Sequence, residues 1–268
     1  RRRPPRRVGF KRAWKHLTPM ANSAMLSDLY ESMNGSVSGL DQYDAGILQP
    51  STRQPVDADH LPKFFSQRPL EWWHHLPELV SGDVRLRELC LTDAPSLAET
   101  LGSAKVGEHL SSGPKSVAEA EKFIAWTRRA RRAGRYICFG VTTQGVDEAV
   151  GLFQVWPLEP SFCTAEWGFA LGHRYWGTGL FVTAARLVTA YAFDTIGVQR
   201  LEARSAVDNV RGNAALKKLG AVSEGVLRKC FMANGEYRDH VMWSMLADDW
   251  RAAQESKGRA LQVTGNVA

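Results

Sequence analysis

A helix entry with two glycines one residue apart is the first feature of this chain that indicates chemistry. Gly177 and Gly179 come directly before an amphipathic stretch, and Arg174 and Thr178 complete the segment. The N–H groups at the start of a helix attract anions, and glycine lets an anion approach the backbone closely. These four residues therefore predict a diphosphate cradle, with a tight turn that needs glycine only for packing as the alternative.

Two common nucleotide-binding motifs do not account for this loop. The chain contains no GxxxxGK[ST] phosphate loop. A dinucleotide fingerprint needs a third glycine early in a parallel βαβ unit, whereas here that third position is Val182 and the loop follows three predicted strands. The sequence therefore favours neither of these nucleotide classes.

A carboxylate lies on the predicted strand before the glycines. Glu166 is flanked by Ala165 and Trp167 in the stretch TAEWGFAL. A charged side chain on a largely apolar strand either faces a cavity or pairs with a basic group, because burying it alone is costly. Glu166 is therefore a candidate for catalysis or for binding a substrate ammonium group, with a structural ion pair as the alternative.

The other polar candidates have simpler explanations. Asn209 precedes a helical stretch, and a role as N-cap accounts for it fully. His173 and His240 have no partner that spacing identifies, so we interpret each as a surface or satisfied histidine. Four widely spaced cysteines, without a CxxC or a histidine at ligand spacing, predict buried free thiols and no metal site.

The basic residues are concentrated at the start of the chain. Residues 1–16 hold eight Lys and Arg and no acid; subtracting these eight from the 34 basic residues leaves 26 against 28 acidic ones. We therefore interpret residues 1–68 as a basic leader and a poorly structured linker, and expect nucleic-acid contact at most through the leader. Residues 69–81 are predicted to form a short docking helix, residues 82–248 a folded domain and residues 249–268 a C-terminal tail.

The folded domain is predicted to alternate strands and helices. With 44% hydrophobic residues the chain can bury an ordinary core. No apolar run approaches the roughly 20 residues that span a bilayer, so we expect a cytoplasmic protein without membrane contact. Periodicity and turn signals predict a strand, two helices, a three-stranded meander, a helix to about residue 196, a strand, a further helix, and a hairpin around residues 234–235.

This order of elements, with four of its motifs, resembles the GCN5-related N-acetyltransferase (GNAT) family, and within it the branch of ribosomal-protein N-terminal (Rim-type) acetyltransferases. The resemblance covers about residues 82 to 248. It includes RYWGTG as the family's R/Q-x-x-G-x-G/A loop, the preceding AEWGFAL, the following LEARSAVDNVRGNAALKKLGA, and EGVLRK with YRDHVMWSML. It implies an α/β fold with a mixed, mainly antiparallel central sheet, flanked by helices, whose two central strands part in a V-shaped split that receives acetyl-CoA.

The same resemblance assigns the acetyl-CoA site. Backbone groups of one strand would pair with pantetheine, and those of the glycine loop would meet the diphosphate: Trp167, Gly168, Phe169, Ala170 and Leu171 for the strand, and Trp176, Gly177, Thr178, Gly179 and Leu180 for the loop. Arg174 is a candidate for a phosphate contact. Asn209 is a candidate for a hydrogen bond to the pantetheine or cysteamine portion, and Asn213 is a further one.

The resemblance also implies roles at the reacting centre. The family's acid that takes a proton from the amine corresponds to Glu166, which forms the predicted catalytic pair with Asn209. Backbone N–H groups near residues 168–170 are the natural oxyanion donors, because diverging strands leave them unpaired. The usual proton donors to the thiolate are missing, since the family's tyrosine position is Leu216 and the serine position is Gly212. The thiolate would then take its proton from water or leave as the anion.

The predicted reaction is direct transfer of acetyl to a primary amine in a ternary complex, with the α-amine of a protein as first choice of acceptor. No cysteine sits beside an activating base, which disfavours covalent catalysis. Two alternatives stay open: transfer to a small amine such as an antibiotic or polyamine, and a CoA-binding module without turnover. The acids that could serve a cationic acceptor, Glu108, Glu119 and Glu159, cannot be placed from the sequence. We expect a monomer or a homodimer.

Overall fold

A computed structural model describes residues 72–108, 110, 113–233 and 235–265. Its strands are β1 (Leu79–Ser81), β2 (Val84–Glu88), β3 (Ile137–Thr143), β4 (Val146–Pro157), β5 (Thr164–Leu171), β6 (Arg200–Ala206), β7 (Val222–Ala233) and β8 (Glu236–Leu246). Its helices are α1 (Ala94–Gly102), α2 (Ala104–Gly107), α3 (Val117–Arg132), α4 (Leu180–Ala190), α5 (Val210–Leu219) and α6 (Ala247–Gly265). A π-helical segment, Tyr191–Ile196, continues α4.

The eight strands form one sheet in the order β1-β2-β3-β4-β5-β6-β8-β7. All neighbours are antiparallel except β5 and β6, which run parallel. Strands β3, β4 and β5 form the predicted meander, and β7 and β8 form the predicted hairpin. The prediction of a mixed, mainly antiparallel sheet flanked by helices is therefore confirmed.

The sheet opens between its two parallel strands. β5 pairs with β4 along its whole length, but it pairs with β6 only from Thr164 to Glu166, where Glu166 lies opposite Glu202. β6 continues beyond that point on its other edge, where it pairs with β8 as far as Ala206. Because both strands stay in the sheet while their facing edges part, the predicted V-shaped split is present.

Local signals explain where the helices begin and end. The Ser116 side chain accepts a hydrogen bond from the Glu119 N–H at the start of α3, as an N-cap residue does. Gly134 follows the C-terminus of this helix with φ of 69°, and Gly220 follows that of α5 with φ of 96°. Both values lie in the left-handed region that favours glycine, which explains why the helices stop there.

Each face of the sheet carries its own apolar core. On one face, α1 and α3 pack Leu97 and Ile124 against Leu152 of β4. On the other, α4 and α5 pack Val188 and Leu216 against the opposite side of the sheet. We call these the α1–α3 face and the α4–α5 face.

Strand alternation then assigns the side chains that border the split. On β5, Ala165 and Trp167 belong to the α4–α5 core, so Glu166 points to the α1–α3 face. On β6, Leu201 and Ala203 belong to the α4–α5 core, so Arg204 shares the α1–α3 face with Glu166 and residue 205 does not. Polar groups therefore line the split from both sides.

One prediction about the ends of the domain is wrong, and the structure adds a helix to the other. The predicted docking helix at 69–81 is, in its described part, a turn at residues 72–74 followed by β1, because Pro77 cannot continue a helix and the next residues pair with β2. Trp72 nevertheless packs on Phe162 at a ring-centroid distance of 5.5 Å. The predicted tail at 249–268 is largely helical, and Trp250 of α6 packs on Phe193. The basic leader and the linker lie outside the described residues.

Candidate active site

A cavity of about 520 Å³ follows the split between β5 and β6. Its walls include the edge of β5 from Glu166 to Leu171, the glycine loop, residues 204–206 of β6, and α5. On the α1–α3 face, apolar residues close it, namely Leu110, Pro114, Phe123 and Trp156. The cavity therefore has one end at a helix N-terminus and another end in an apolar pocket around Glu166.

The glycine loop is shaped as the sequence predicts. Gly177 has φ of 81° and Gly179 has φ of 89°, and a Cβ built on either would meet no atom within 4 Å. The first regular bond of α4 joins the Thr183 N–H to the Gly179 carbonyl, so the N–H groups before it lack intrahelical partners. Open space beside exposed donors at a positive helix end suits an anion.

Side chains around the loop hold it in this form. The Thr178 hydroxyl donates to the Tyr175 carbonyl at 2.8 Å, and the Leu180 N–H donates to Thr178 Oγ1 at 3.3 Å. Trp176 lines the cavity, and its Nε1 donates to the Leu171 carbonyl at 2.8 Å. The Arg211 guanidinium lies 4.8 Å from the centre of the Trp176 ring, so a cation of α5 reaches across to the loop.

The predicted strand residues form one wall of the cavity. Trp167, Gly168, Phe169, Ala170 and Leu171 all line it. Because β5 pairs with β6 only as far as Glu166, the edge that these five residues turn toward β6 is not paired with that strand. A Cβ added at Gly168 would touch the Trp156 ring at 3.4 Å, so the glycine keeps this wall close to the aromatic pocket. Backbone donors and acceptors are therefore available to a ligand in the split.

Glu166 lies where the strands part, and its environment favours the protonated form. The side chain is only 5% exposed, and within the described residues its Oε2 has no hydrogen-bond partner. Burial raises the pKa of this carboxyl to about 7; the nearby Arg204 guanidinium opposes the shift and Glu202 adds to it. Glu166 Oε1 lies 3.8 Å from Arg204 Nε. The cavity and the ion pair that the sequence left as alternatives are thus both present.

His240 is a second buried titratable group of the cavity. Its ring lies 4.4 Å from the Phe231 ring, and both line the cavity. Burial and then the charge of Arg204 lower the pKa of this imidazole to about 4. The imidazole is therefore neutral at physiological pH and can donate or accept a hydrogen bond. The interpretation of His240 as a surface or satisfied side chain missed its place in the cavity.

The two predicted asparagines differ in position. Asn209 caps α5 by accepting from the Gly212 N–H at 2.8 Å, and it also lines the cavity. The Asn213 amide donates to the carbonyls of Ala206 and Asn209, each at 2.9 Å, and accepts from Trp243 Nε1 at 2.9 Å. Asn213 therefore holds β6, α5 and β8 together and does not line the cavity.

Arg174 also lies away from the cavity wall. Its Nη2 is 3.4 Å from Glu99 Oε1, and both side chains are about three-quarters exposed. Lys218 and Arg211 of α5 line the cavity instead. Two cations of the cavity wall therefore come from α5, which the spacing of the glycine motif does not reveal.

The cysteines form neither a disulfide nor part of a metal site within the described residues. Cys90, Cys138, Cys163 and Cys230 are all free thiols. Cys230 lines the cavity, and burial raises the pKa of its thiol. Among the described residues, no group of three or more His, Cys, Asp or Glu side chains is placed to hold a metal ion. No described helix is long and apolar enough to cross a membrane.

Sequence reasoning missed several polar residues of the cavity, including three on the strands beyond the split. Arg204, Ser205 and His240 lie on β6 and β8, outside the glycine motif. One signal was available: in RLEARSAV the buried row Leu201, Ala203 continues into a serine, which is polar where an apolar residue is expected.

Comparison with known proteins agrees with this architecture. Residues 83–222, slightly more than half of the chain, match the family described as acetyltransferase (GNAT) domain. The uncharacterized N-acetyltransferase p20 of Bacillus licheniformis is 26% identical over 166 residues, which cover 62% of this chain and 93% of p20. The [ribosomal protein uS5]-alanine N-acetyltransferase of Escherichia coli is 29% identical over 34% of this chain and 46% of its own length. The spermidine N(1)-acetyltransferase of that organism is 26% identical over 42% of this chain and 61% of its own.

A solved structure shares the fold. Mycobacterium smegmatis RimJ in complex with CoA-disulfide superposes with a TM-score of 0.57 and 22% identity, covering 65% of this chain and 87% of that one. The family match spans the meander, the glycine loop and the split, which build most of the cavity. The chain therefore belongs to the GNAT family of N-acetyltransferases.

Proposed function

We propose that this protein transfers the acetyl group of acetyl-CoA to the α-amine of a polypeptide N-terminus, by direct attack within a ternary complex. The observation that carries the proposal is Glu166, a buried carboxyl with a pKa of about 7 at the point where the strands part. A base whose pKa matches the working pH is best suited to take a proton from an amine.

The cofactor half of the cavity fits the parts of CoA in order. The N–H groups at the start of α4 suit the diphosphate, and Arg211 and Lys218 add positive charge beside them. The unpaired edge of β5 from Trp167 to Leu171 suits the amides of pantetheine, as an added strand would. CoA-disulfide bound to M. smegmatis RimJ supports the same class of cofactor.

The acceptor half is closer to neutral than a polyamine site would be. Glu166 is balanced by Arg204 at 3.8 Å. Of the three other acids considered, Glu119 lines the cavity and Glu108 does not, while Glu159 accepts a hydrogen bond from the Thr164 N–H. A spermidine-like acceptor carries several positive charges, which a site with two carboxylates, one of them balanced by Arg204, holds poorly. A single amine beside a peptide carbonyl suits Glu166 and Arg204 together, and the uS5-alanine relative supports this acceptor.

The residues act in sequence during transfer. The neutral acceptor amine attacks the thioester carbonyl from the α1–α3 face, and Glu166 accepts the proton that the nitrogen loses as the new bond forms. Backbone N–H groups at residues 168–170 stabilise the oxyanion. Collapse of the intermediate forms the amide and breaks the carbon–sulfur bond, and the electron pair stays on sulfur. Cys230 takes no covalent part, because its raised pKa keeps it a thiol and not a nucleophilic thiolate.

An acceptor panel tests the proposal. We would measure thiol release from acetyl-CoA with a peptide that has a free α-amine and no lysine, with the same peptide blocked at the α-amine and carrying one lysine, and with spermidine. The first peptide should give the highest kcat/KM. Faster release with spermidine or lysine would reject the α-amine as acceptor. Tight acetyl-CoA binding without release on any amine would identify a binding module without turnover.

A further inference from the structure

The departing sulfur of CoA needs a hydrogen-bond donor, and two positions of α5 that could supply one do not. Leu216 is fully buried in the α4–α5 core and has no polar group. Gly212 has no side chain. A side-chain donor from another element that borders the α4–α5 side of the split could replace them.

Ser205 of β6 meets this requirement. Its side chain is only 6% exposed, it lines the cavity, and its Oγ has no hydrogen-bond partner among the described residues. A buried hydroxyl without a partner costs stability, so such groups are rare and call for an explanation. A ligand that accepts a hydrogen bond in the cavity would remove this cost.

The Ser205 side chain points to the opposite face of the sheet from the Glu166 side chain. Ser205 continues the row of Leu201 and Ala203 on the α4–α5 face, whereas Arg204 shares the α1–α3 face with Glu166. A thioester lying in the split between them would have the acceptor amine on the Glu166 side. Its sulfur would then lie on the Ser205 side.

Gly212 explains why the hydroxyl is accessible. A Cβ added at Gly212 would lie 3.0 Å from Ser205 Oγ and 2.6 Å from Asn209 Nδ2. Ser205 and Asn209 therefore converge on the space that a side chain at position 212 would occupy. The Ser205 hydroxyl of β6 is therefore available beside the space where a side chain at position 212 of α5 would otherwise lie.

We propose that Ser205 is a catalytic residue whose hydroxyl donates a hydrogen bond to the CoA sulfur and stabilises it as the carbon–sulfur bond breaks. The proposal rests on the proposed binding of acetyl-CoA in the split. The nitrogen–carbon bond forms, the carbon–sulfur bond breaks, its electron pair remains on sulfur, and the amine proton goes to Glu166. Ser205 keeps its own proton, so the step needs no further reactant.

The pH dependence of CoA binding tests the proposal without any acceptor. A donor at the sulfur favours the thiolate, so the affinity of CoA for the unsubstituted protein should rise between pH 8 and 9, above the titration of Glu166 at about 7, as the thiol ionises. Ser205→Ala should abolish this rise and weaken CoA binding at pH 9 by about 10- to 100-fold, the usual cost of a lost hydrogen bond to a charged group. The affinity of Ser205→Ala for acetyl-CoA, measured by calorimetry, should stay within about twofold of that of the unsubstituted protein. A thioester sulfur carries no charge and accepts hydrogen bonds weakly.

A matched control and the turnover rate complete the test. Ser244→Ala removes an equally buried serine that lies outside the cavity and donates to Glu224 at 2.7 Å; CoA binding should keep its pH dependence in this variant. With the peptide acceptor, kcat should fall about 10- to 100-fold in Ser205→Ala only. Normal acetyl-CoA binding with an unchanged pH dependence in Ser205→Ala would overturn the role of Ser205 alone. Failure of the unsubstituted protein to bind acetyl-CoA would overturn the cofactor site, and this proposal with it.

Discussion

Replacing Glu166 by glutamine should inactivate the enzyme and yet stabilise its fold. The substitution keeps the shape of the side chain and removes its charge. As general base, Glu166 should contribute about 100- to 10,000-fold to kcat. Because its pKa is about 7, kcat/KM of the unsubstituted enzyme, corrected for ionisation of the peptide amine, should rise with pH through 7. The rise should be absent from Glu166→Gln.

The stability effect follows from the same pKa. The carboxyl titrates at about 7 in the folded chain and at 4.5 ordinarily, so between these values the unfolded chain loses its proton while the folded chain keeps it. The contribution of Glu166 to the free energy of unfolding is therefore complete below pH 4.5 and is lost as the pH rises to 7. At about 1.36 kcal/mol per pH unit, the loss is about 3 kcal/mol. Glu166→Gln avoids this loss.

Urea unfolding at pH 4.5 and pH 8 measures the effect. Glu166→Gln should match the unsubstituted protein at pH 4.5 and exceed its free energy of unfolding at pH 8 by up to about 3 kcal/mol. Glu224→Gln is a control of opposite sign: hydrogen bonds from Arg200 and then Ser244 lower the pKa of Glu224 to about 2, so this variant should be less stable at pH 8. A Glu166→Gln enzyme that keeps full turnover, or that loses stability at pH 8, would refute the assignment of a buried, neutral-titrating base.

Three further predictions concern the cap, the histidine and the glycine loop. Asn209→Ala should lower the free energy of unfolding by about 1 kcal/mol through loss of the N-cap, whereas Asn209→Asp should keep the cap and weaken only acetyl-CoA binding in calorimetry; equal binding by the Asp variant would leave Asn209 as a cap alone. His240→Gln should resist acid better, because the buried imidazole contributes stability above pH 6.5 that is lost as pH falls to about 4; unchanged urea midpoints at pH 4.5 relative to the unsubstituted protein would contradict this. Gly179→Ala should strain the backbone at φ of 89° by about 1 kcal/mol and weaken acetyl-CoA binding; a thermal midpoint and affinity equal to those of the unsubstituted protein would show that the loop relaxes freely.

Local signals made part of this structure predictable from the sequence. The glycine loop, the helix caps at Ser116 and Asn209, and the position of Glu166 on an apolar strand depend on residues close together in the chain. Their spacing therefore carries the information. The resemblance to the GNAT family added the V-shaped split, which no local pattern encodes because it depends on how far β5 and β6 stay paired.

The missed features depend on contacts between distant segments. Arg204 reaches Glu166 because of the register of the parallel strands, and His240 enters the cavity because β8 pairs with β6. The sequence predicts a cofactor contact for Asn213 because its hydrogen bond from Trp243 joins segments that are distant in the chain. The docking helix was predicted from the apolar content of residues 69–81. The local signal of Pro77, which cannot continue a helix, received too little weight. The cofactor contacts, the cytoplasmic location and the monomeric or dimeric state stay predictions.

The most direct test of the central claim is a crystal structure of the protein with acetyl-CoA. The diphosphate should lie on the N–H groups at the start of α4, beside Gly177 and Gly179. The sulfur should lie in the split, with Ser205 Oγ within hydrogen-bonding distance and Glu166 on the opposite side. A split closed by the protein's own side chains, or a diphosphate bound elsewhere, would contradict the account.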